Sequence, residues 1–151
     1  MATDDTRLQV ARGFTAGIPH NHALGMEVLE MSRGQAVFKL PYAAKLIGNP
    51  DTGVLHGGAI TALLDACSGA AVFAALVEWS PIATLDLRID YLRAAEVGRD
   101  VTCRATCYKL AKNVAFTRAL AYHDDEADPI ASSAGTFMLG TKLGTPRKAD
   151  A

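Results

Sequence analysis

The sequence predicts an α+β domain in which an antiparallel sheet wraps one long, almost uncharged helix. Three observations point there. The run from about Gly57 to Leu76 is apolar for longer than a strand allows, and Asp65 is its single charge. Beyond it the apolar period changes to two, with Leu85, Leu87, Ile89 and Tyr91 alternating with Asp86, Arg88 and Asp90. The strand-like segments are joined by hairpin-length links, which suit antiparallel neighbours and are too short for parallel crossovers. A helix with so little polar surface needs cover on every side. The sheet must therefore curl around it, and a partner subunit is expected to cover what the sheet leaves.

In chain order, TRLQVARGFTAGI reads as a short amphipathic helix ending near Gly17–Pro19. His20 and His22, in HNH, read as part of an exposed loop, and with no third ligand apparent they do not form a metal site. HALGMEVLEMSRGQAVFKLPY reads as two strands joined at Ser32-Arg33-Gly34, and LIGNPDTGV as a loop. The long helix follows and ends at Glu78-Trp79-Ser80-Pro81. IATLDLRIDYLR is the third strand. DVTCRATCYKLA and VAFTRALAYHD are two more, joined at Ala111-Lys112-Asn113. DPIASSAGTFMLG is the last, after the acidic loop His123–Asp128. Residues 1–5 and the tail after Gly140 have the composition of loose termini.

The 151 residues suit one domain, 1–151, with its core at about 22–140. A net charge of −1 argues against nucleic acid as the main partner, because phosphate binding needs a clustered cationic surface. Cys67, Cys103 and Cys107 cannot all pair within one chain and form no CxxC, so they read as reduced thiols of a cytoplasmic protein. The start, MATDDTRLQV, lacks the basic and apolar regions of a signal peptide. Gly57–Val77 has the length of a membrane span, but a carboxylate at its centre would cost about 3 kcal/mol in hydrocarbon. No Lys or Arg cluster flanks it, and a buried core helix is the better reading.

The chemistry concentrates in GVLHGGAITALLDACSG. At 100° per residue, Thr61, Asp65, Ser68, Gly69 and Val72 share one stripe, and Ile60, Leu63, Leu64, Cys67, Ala71 and Ala74 lie on the other side. Asp65 thus sits on a narrow, small-residue stripe, where its pKa is raised unless donors or cations reach it. A carboxylate beside a cavity is a candidate general base or nucleophile. It could equally bond a loop backbone or pair with an arginine from the sheet. His56, Gly57 and Gly58 stand at the helix start, where amides lack partners and the dipole favours negative charge. Glycine lets a ligand approach that backbone, and amides aimed at a carbonyl oxygen stabilise an oxyanion. The glycines could also merely permit a tight turn into a buried helix. Asp65 lies nine residues after His56, about 13 Å along the axis and half a turn around it. If both serve one reaction, they come from different subunits, and a two-fold axis in an obligate oligomer is expected to relate them.

NPDTGVLHGGAITALLDACSGAAV followed by TLDLRIDYLRAA resembles the hot-dog-fold acyl-CoA thioesterases of the phenylacetyl-CoA, PaaI-like branch, over roughly Gly48 to Leu139. The resemblance implies a five- or six-stranded antiparallel sheet around one central helix. It also implies a dimer or dimer of dimers, and hydrolysis of acyl-CoA without metal or added cofactor, CoA being part of the substrate. On the matching positions, Asp65 is the carboxylate that activates water or attacks the thioester. Gly57 is the backbone donor to the thioester oxygen, and His56 orders the loop and touches the substrate. Asn49 is the loop asparagine that holds water or substrate, and Thr84 positions the water. The Asn49–His56 loop is one residue longer than the common form, and YLRAA has Ala where Pro usually follows Arg.

This chemistry is consistent with the residues. A thioester carbonyl is electrophilic and its thiolate leaves readily, so one carboxylate and an oxyanion hole suffice. There is no GxSxG elbow, and Cys67 lies almost opposite Asp65. Arg88, Arg93, Lys109 and Lys112 are candidate partners for the CoA phosphates, and Arg88 could instead pair with Asp86 or Asp90. Two rival readings are a non-catalytic hot-dog module that binds acyl-CoA as a sensor, and a hydratase. The hydratase would need a His soon after Asp65, and none is there.

Overall fold

The computed structural model describes residues 4–141. Two helices open the chain, α1 (Asp4–Gly17) and α2 (Pro19–Leu24). Strands β1 (Glu27–Ser32) and β2 (Gln35–Leu40) follow, then a short ribbon of β3 (Ile47–Asn49) and β4 (Val54–Leu55). The long helix α3 spans Gly57–Ala75, and β5 (Ile82–Tyr91), β6 (Val101–Leu110), β7 (Val114–Tyr122) and β8 (Ala131–Leu139) complete the chain. Six strands form one antiparallel sheet in the order β1-β2-β6-β7-β8-β5, curled around α3. The six-strand count and the central helix are those expected from the sequence.

The inner face of the sheet explains the wrap. Ala36, Cys103, Ala105, Ala119, Ala121 and Ala131 are small and buried there. Their lack of bulk lets the helix backbone come close. The Cys67 thiol on α3 donates to the carbonyls of Ala36 on β2 and Cys103 on β6, both at 3.4 Å. Burial pushes the Cys103 thiol well above its ordinary range, so it stays protonated in the core. On the same face as Cys67, Leu63, Leu64 and Ala71 are fully buried. Helix α3 is long and apolar enough to cross a bilayer, but here it is the core around which the sheet folds.

Two expectations change. His20 and His22 belong to α2, started by Pro19 at its first turn and ended by Gly25 in the left-handed region (φ 75°). The loop before α3 contains the β3–β4 ribbon, because Gly53 (φ 80°) turns the chain back and its amide bonds the Asn49 carbonyl at 2.8 Å. The chain termini expected to be loose fall partly outside the described residues.

The open stripe of α3 is also rotated from the idealised one. Ser68 and Val72 are fully buried, Val72 against Ala115 and Phe137 of the sheet. The uncovered stripe runs instead through Asp65, Ala66, Gly69, Ala70 and Phe73. The strongly curled sheet covers the flank of the helix that carries Ser68 and Val72.

Strand β5 is the sheet's edge. Its register shifts between Thr84 and Asp86, so Thr84 pairs with Phe137 and Leu87 with Gly135. Leu85 is the extra residue of a bulge. Simple alternation from Leu85 would have put Thr84 on the outer face with Asp86. The bulge restores Thr84 to the helix side together with Leu87, Ile89 and Tyr91.

Candidate active site

The sequence-predicted residues fall into two groups at different levels of α3. One group surrounds the helix start. His56 is the N-cap, and its Nδ1 accepts from the Gly58 amide at 2.8 Å. An imidazole here does what Ser or Asp usually does at this position, and the bond places the ring hydrogen on Nε2. A Cβ on Gly58 would lie 2.8 Å from that Nδ1, so the second glycine is needed for the cap to form. The Ala59 amide takes the His56 carbonyl at 3.0 Å. The first-turn amide left without an acceptor among the described residues is that of Gly57.

That amide is held in place from both sides. The His56 amide bonds the Leu46 carbonyl at 2.8 Å. A Cβ on Gly48 would lie 2.7 Å from the His56 Cα, so glycine there lets the ribbon pass against the N-cap. From β5, the Tyr91 hydroxyl donates to the Gly57 carbonyl at 2.6 Å. Its single hydrogen is then used, so in the 2.7 Å contact between them the Thr61 hydroxyl donates to the Tyr91 oxygen. Tyr91 was read from sequence only as part of the strand. Its place in the inward register with Leu87 and Ile89 was the signal that it faces α3. Asn49 shapes the loop next to this group: its side-chain oxygen accepts from the Asp51 amide at 3.0 Å.

The second group lies two turns further along α3. Asp65 Oδ1 accepts from the Thr84 hydroxyl at 2.8 Å. No ion pair to Asp65 forms among the described residues, and it bonds no loop backbone there. Of the structural uses open to it, neither is observed. Asp65 and Thr84 instead sit at one end of an elongated cavity of about 340 Å³. Its floor is the small-residue stripe of α3, its walls include Phe38, Ile82 and Phe137, and its roof is α1–α2 through Ala11, Thr15 and Ile18. His20, expected on an exposed loop, stands at the rim and also borders a smaller hollow beside His56 and Gly58. No cluster of His, Cys, Asp and Glu among the described residues could hold a metal.

The cations are placed differently from one another. Arg88 is exposed on β5 and reaches Asp90 at 3.2 Å, one of the two partners expected of it. Arg93 is half-buried and clamps Asp128 at 3.1 Å, tying the end of β5 to the β7–β8 loop. Lys109 and Lys112 are exposed, on β6 and on the β6–β7 turn.

A carboxylate with one hydroxyl donor at the mouth of an apolar cavity can take a proton from water or attack an acyl carbon. A free helix-tip amide can accept a developing oxyanion. In one chain the two are separated along the helix, as the nine-residue spacing from His56 to Asp65 requires.

Comparison with known proteins bears on the family. The family model described as "Thioesterase superfamily" matches residues 52–130. A curated relative, the medium/long-chain acyl-CoA thioesterase YigI of Escherichia coli K12, is 29% identical over 144 residues, covering 87% of this chain and 92% of that protein. A crystal structure of a Pseudomonas aeruginosa protein is 43% identical with a TM-score of 0.80, covering 87% of this chain and 98% of that one. The PaaI protein of the Escherichia coli phenylacetic acid degradation operon has the same TM-score at 20% identity, covering 91% and 96%, and speaks for the fold alone.

Proposed function

The chain belongs to the thioesterase superfamily and has its hot-dog fold, and on that footing we propose that it hydrolyses acyl-CoA thioesters to free acid and CoA. The observation that carries the reading is the Asp65–Thr84 pair, 2.8 Å apart, lining an apolar cavity. Asp65 removes a proton from water as the water oxygen attacks the thioester carbon, or its carboxylate attacks that carbon to give, when the C–S bond breaks, a mixed anhydride that water then hydrolyses to the free acid and Asp65. The carbonyl oxygen gathers the negative charge and is met by the Gly57 amide of a second copy, with His56 and Asn49 shaping the approach. Collapse of the tetrahedral centre breaks the C–S bond. The sulfur leaves as thiolate and takes a proton to become the CoA thiol. Thr84 keeps the carboxylate aimed, because its hydroxyl fixes one oxygen and leaves the other for the water.

The two-copy site is supported by β5. Among the described residues no strand lies beside its outer edge, and Leu85 is 51% exposed there. Ten residues of edge strand with no neighbour among the described residues invite pairing with another chain. A dimer formed there, alone or doubled into a tetramer, gives each Asp65 a partner helix tip. Gly58 borders the smaller hollow beside His56, and the exposed Arg88 and Lys112 are the cations we assign to the CoA phosphates. Arg93, held by Asp128, orders the neighbouring loop in this reading. A cytoplasmic location goes with the free thiols and a CoA substrate.

The test is thiol release from a panel of acyl-CoAs by the wild-type protein and by Asp65→Asn. Hydrolysis that the substitution abolishes, with folding and assembly retained, supports the reading. Equal rates in the two proteins sink it, and binding without turnover in the wild type points to the sensor module instead.

A further inference from the structure

Beyond Phe73 the cavity does not simply end. A second cavity of about 380 Å³ lies at the C-terminal end of α3, bordered by Val10, Leu76, Val77 and Trp79. Among the described residues, Met31 of β1 and Phe73 of α3 alone border both cavities. These two side chains are therefore a partition between an inner chamber that begins at Asp65 and an outer one that opens at the surface. The Phe73 ring is held in that place by Trp79, edge-on at a centroid distance of 6.4 Å and an interplanar angle of 71°.

We propose that the Phe73–Met31 partition is the chain-length stop of the acyl pocket. The inference rests on the acyl-CoA reading and names the substrate class within it: straight, medium-length acyl chains, thioester at Asp65 and methyl end against Phe73. The length follows from the helix. From Asp65 to Phe73 is eight residues, about 12 Å of rise. A zigzag chain of bonds of about 1.5 Å advances about 1.25 Å per carbon, so nine or ten carbons fill that distance. The shape agrees, since Ala66, Gly69 and Ala70 leave a trough along the helix while Phe38, Ile82 and Phe137 wall it with hydrocarbon. Apart from the Asp65–Thr84 end, polar groups come only from the rim on α1–α2, where Thr15, His20 and Asn21 lie.

A stop can be moved from either side. Phe73→Ala removes the ring from the partition, joins the two cavities and gives a longer chain somewhere to go. Gly69→Leu fills the inner chamber near Asp65. A Cβ there meets only Phe137 and Ile82, at 3.6 and 3.7 Å, which is ordinary contact, so the fold accepts it.

The experiment measures kcat/KM on straight-chain acyl-CoAs from C4 to C16 for the wild type, Phe73→Ala, Gly69→Leu and Trp79→Ala. It also measures Kd for the same series on each variant combined with Asp65→Asn. The wild type is expected to peak near C8–C10 and to fall at least about tenfold by C16, since single methylenes at a pocket wall carry factors of that order. Phe73→Ala raises the C16 value at least about tenfold and leaves C8 within about threefold, while Gly69→Leu moves the peak to shorter chains. Trp79→Ala, which removes the edge-on ring partner of Phe73 and leaves its ring in the partition, shifts the profile in the same direction as Phe73→Ala by less. A wild-type profile that is flat to C16, or profiles that superimpose in all four proteins, overturns the stop. If Phe73→Ala does not fold, the Gly69→Leu and Trp79→Ala shifts decide in its place. Failure of the wild type to hydrolyse any thioester sinks the catalytic reading alone. The Kd series still tests the stop, by the same shifts in length preference.

Discussion

Replacing Gly57 by proline deletes one hydrogen-bond donor from the backbone and leaves the fold in place. Position 57 is the first residue of α3, where proline is favoured because its missing N–H has no intrahelical acceptor. The residue before a proline must be extended, and His56 already is, at φ −65° and ψ 131°. The new Cβ meets the Tyr91 side chain, its hydroxyl oxygen at 3.4 Å, Cζ at 3.5 Å and Cε1 at 3.7 Å, all ordinary contacts. What is lost is the amide that no described residue accepts from. Loss of one oxyanion donor costs about 3–4 kcal/mol in the transition state, a fall of about 10²–10³ in kcat. The assay is thiol release from a medium-chain acyl-CoA, with a thermal melt of the same sample. Gly57→Ala is the control: it has the same Cβ contact with Tyr91 but keeps the N–H, and should stay within a few-fold of wild type. Wild-type kcat in Gly57→Pro refutes the reasoning, and so does an equal loss in Gly57→Ala.

Thr84→Val removes a hydrogen bond to a charged acceptor, worth about 1.5–3 kcal/mol, so kcat should fall about ten- to a hundredfold while Thr84→Ser stays near wild type. Steady-state kinetics of the two variants separates the hydroxyl from the shape. Ser68 and Ser133 bury hydroxyls that find no partner among the described residues; Ser68→Ala should leave the melting temperature unchanged or raise it, because it breaks no bond to them and removes a buried polar atom. Cys67 and Cys103 are buried and Cys107 half-buried, so a thiol reagent at mild pH should label the native protein slowly and all three cysteines only on unfolding. The Cys103 thiol is held above its ordinary range by burial. Its contribution to stability is therefore complete below the ordinary thiol range and fades as pH rises through it, where only the unfolded chain ionises. Denaturant midpoints measured from pH 7 to 10 should fall at the alkaline end.

The parts of this molecule legible in the sequence are those that follow from period and punctuation. The run around Leu63 and Leu64, with Asp65 as its single charge, read as a covered core helix. The Arg33-Gly34 and Ala111–Asn113 turns forced antiparallel neighbours. The separation of His56 from Asp65 was likewise a matter of helical rise. What stayed hidden depends on tertiary contact. The bulge at Leu85, which turns Thr84 toward Asp65, breaks the alternation that a strand is read by. The open stripe of α3 is set by which flank the curled sheet covers, so Ser68 and Val72 went inside and Ala66, Ala70 and Phe73 came to line the cavity. Tyr91 gripping the Gly57 carbonyl joins residues 34 apart in the chain, beyond any local signal. The roof of α1–α2 was readable as a helix but not as a wall of the pocket.

The central claim is that one protomer's Asp65 works with another protomer's Gly57 amide. The direct test mixes Asp65→Asn with Gly57→Pro subunits by co-expression and isolates the hybrid by dual tags. Each homo-oligomer alone should be nearly inactive. In the hybrid, one site combines the intact carboxylate with the intact amide and the other lacks both, so a shared site predicts recovery to about half the wild-type kcat per dimer. A hybrid as inactive as its parents contradicts the account.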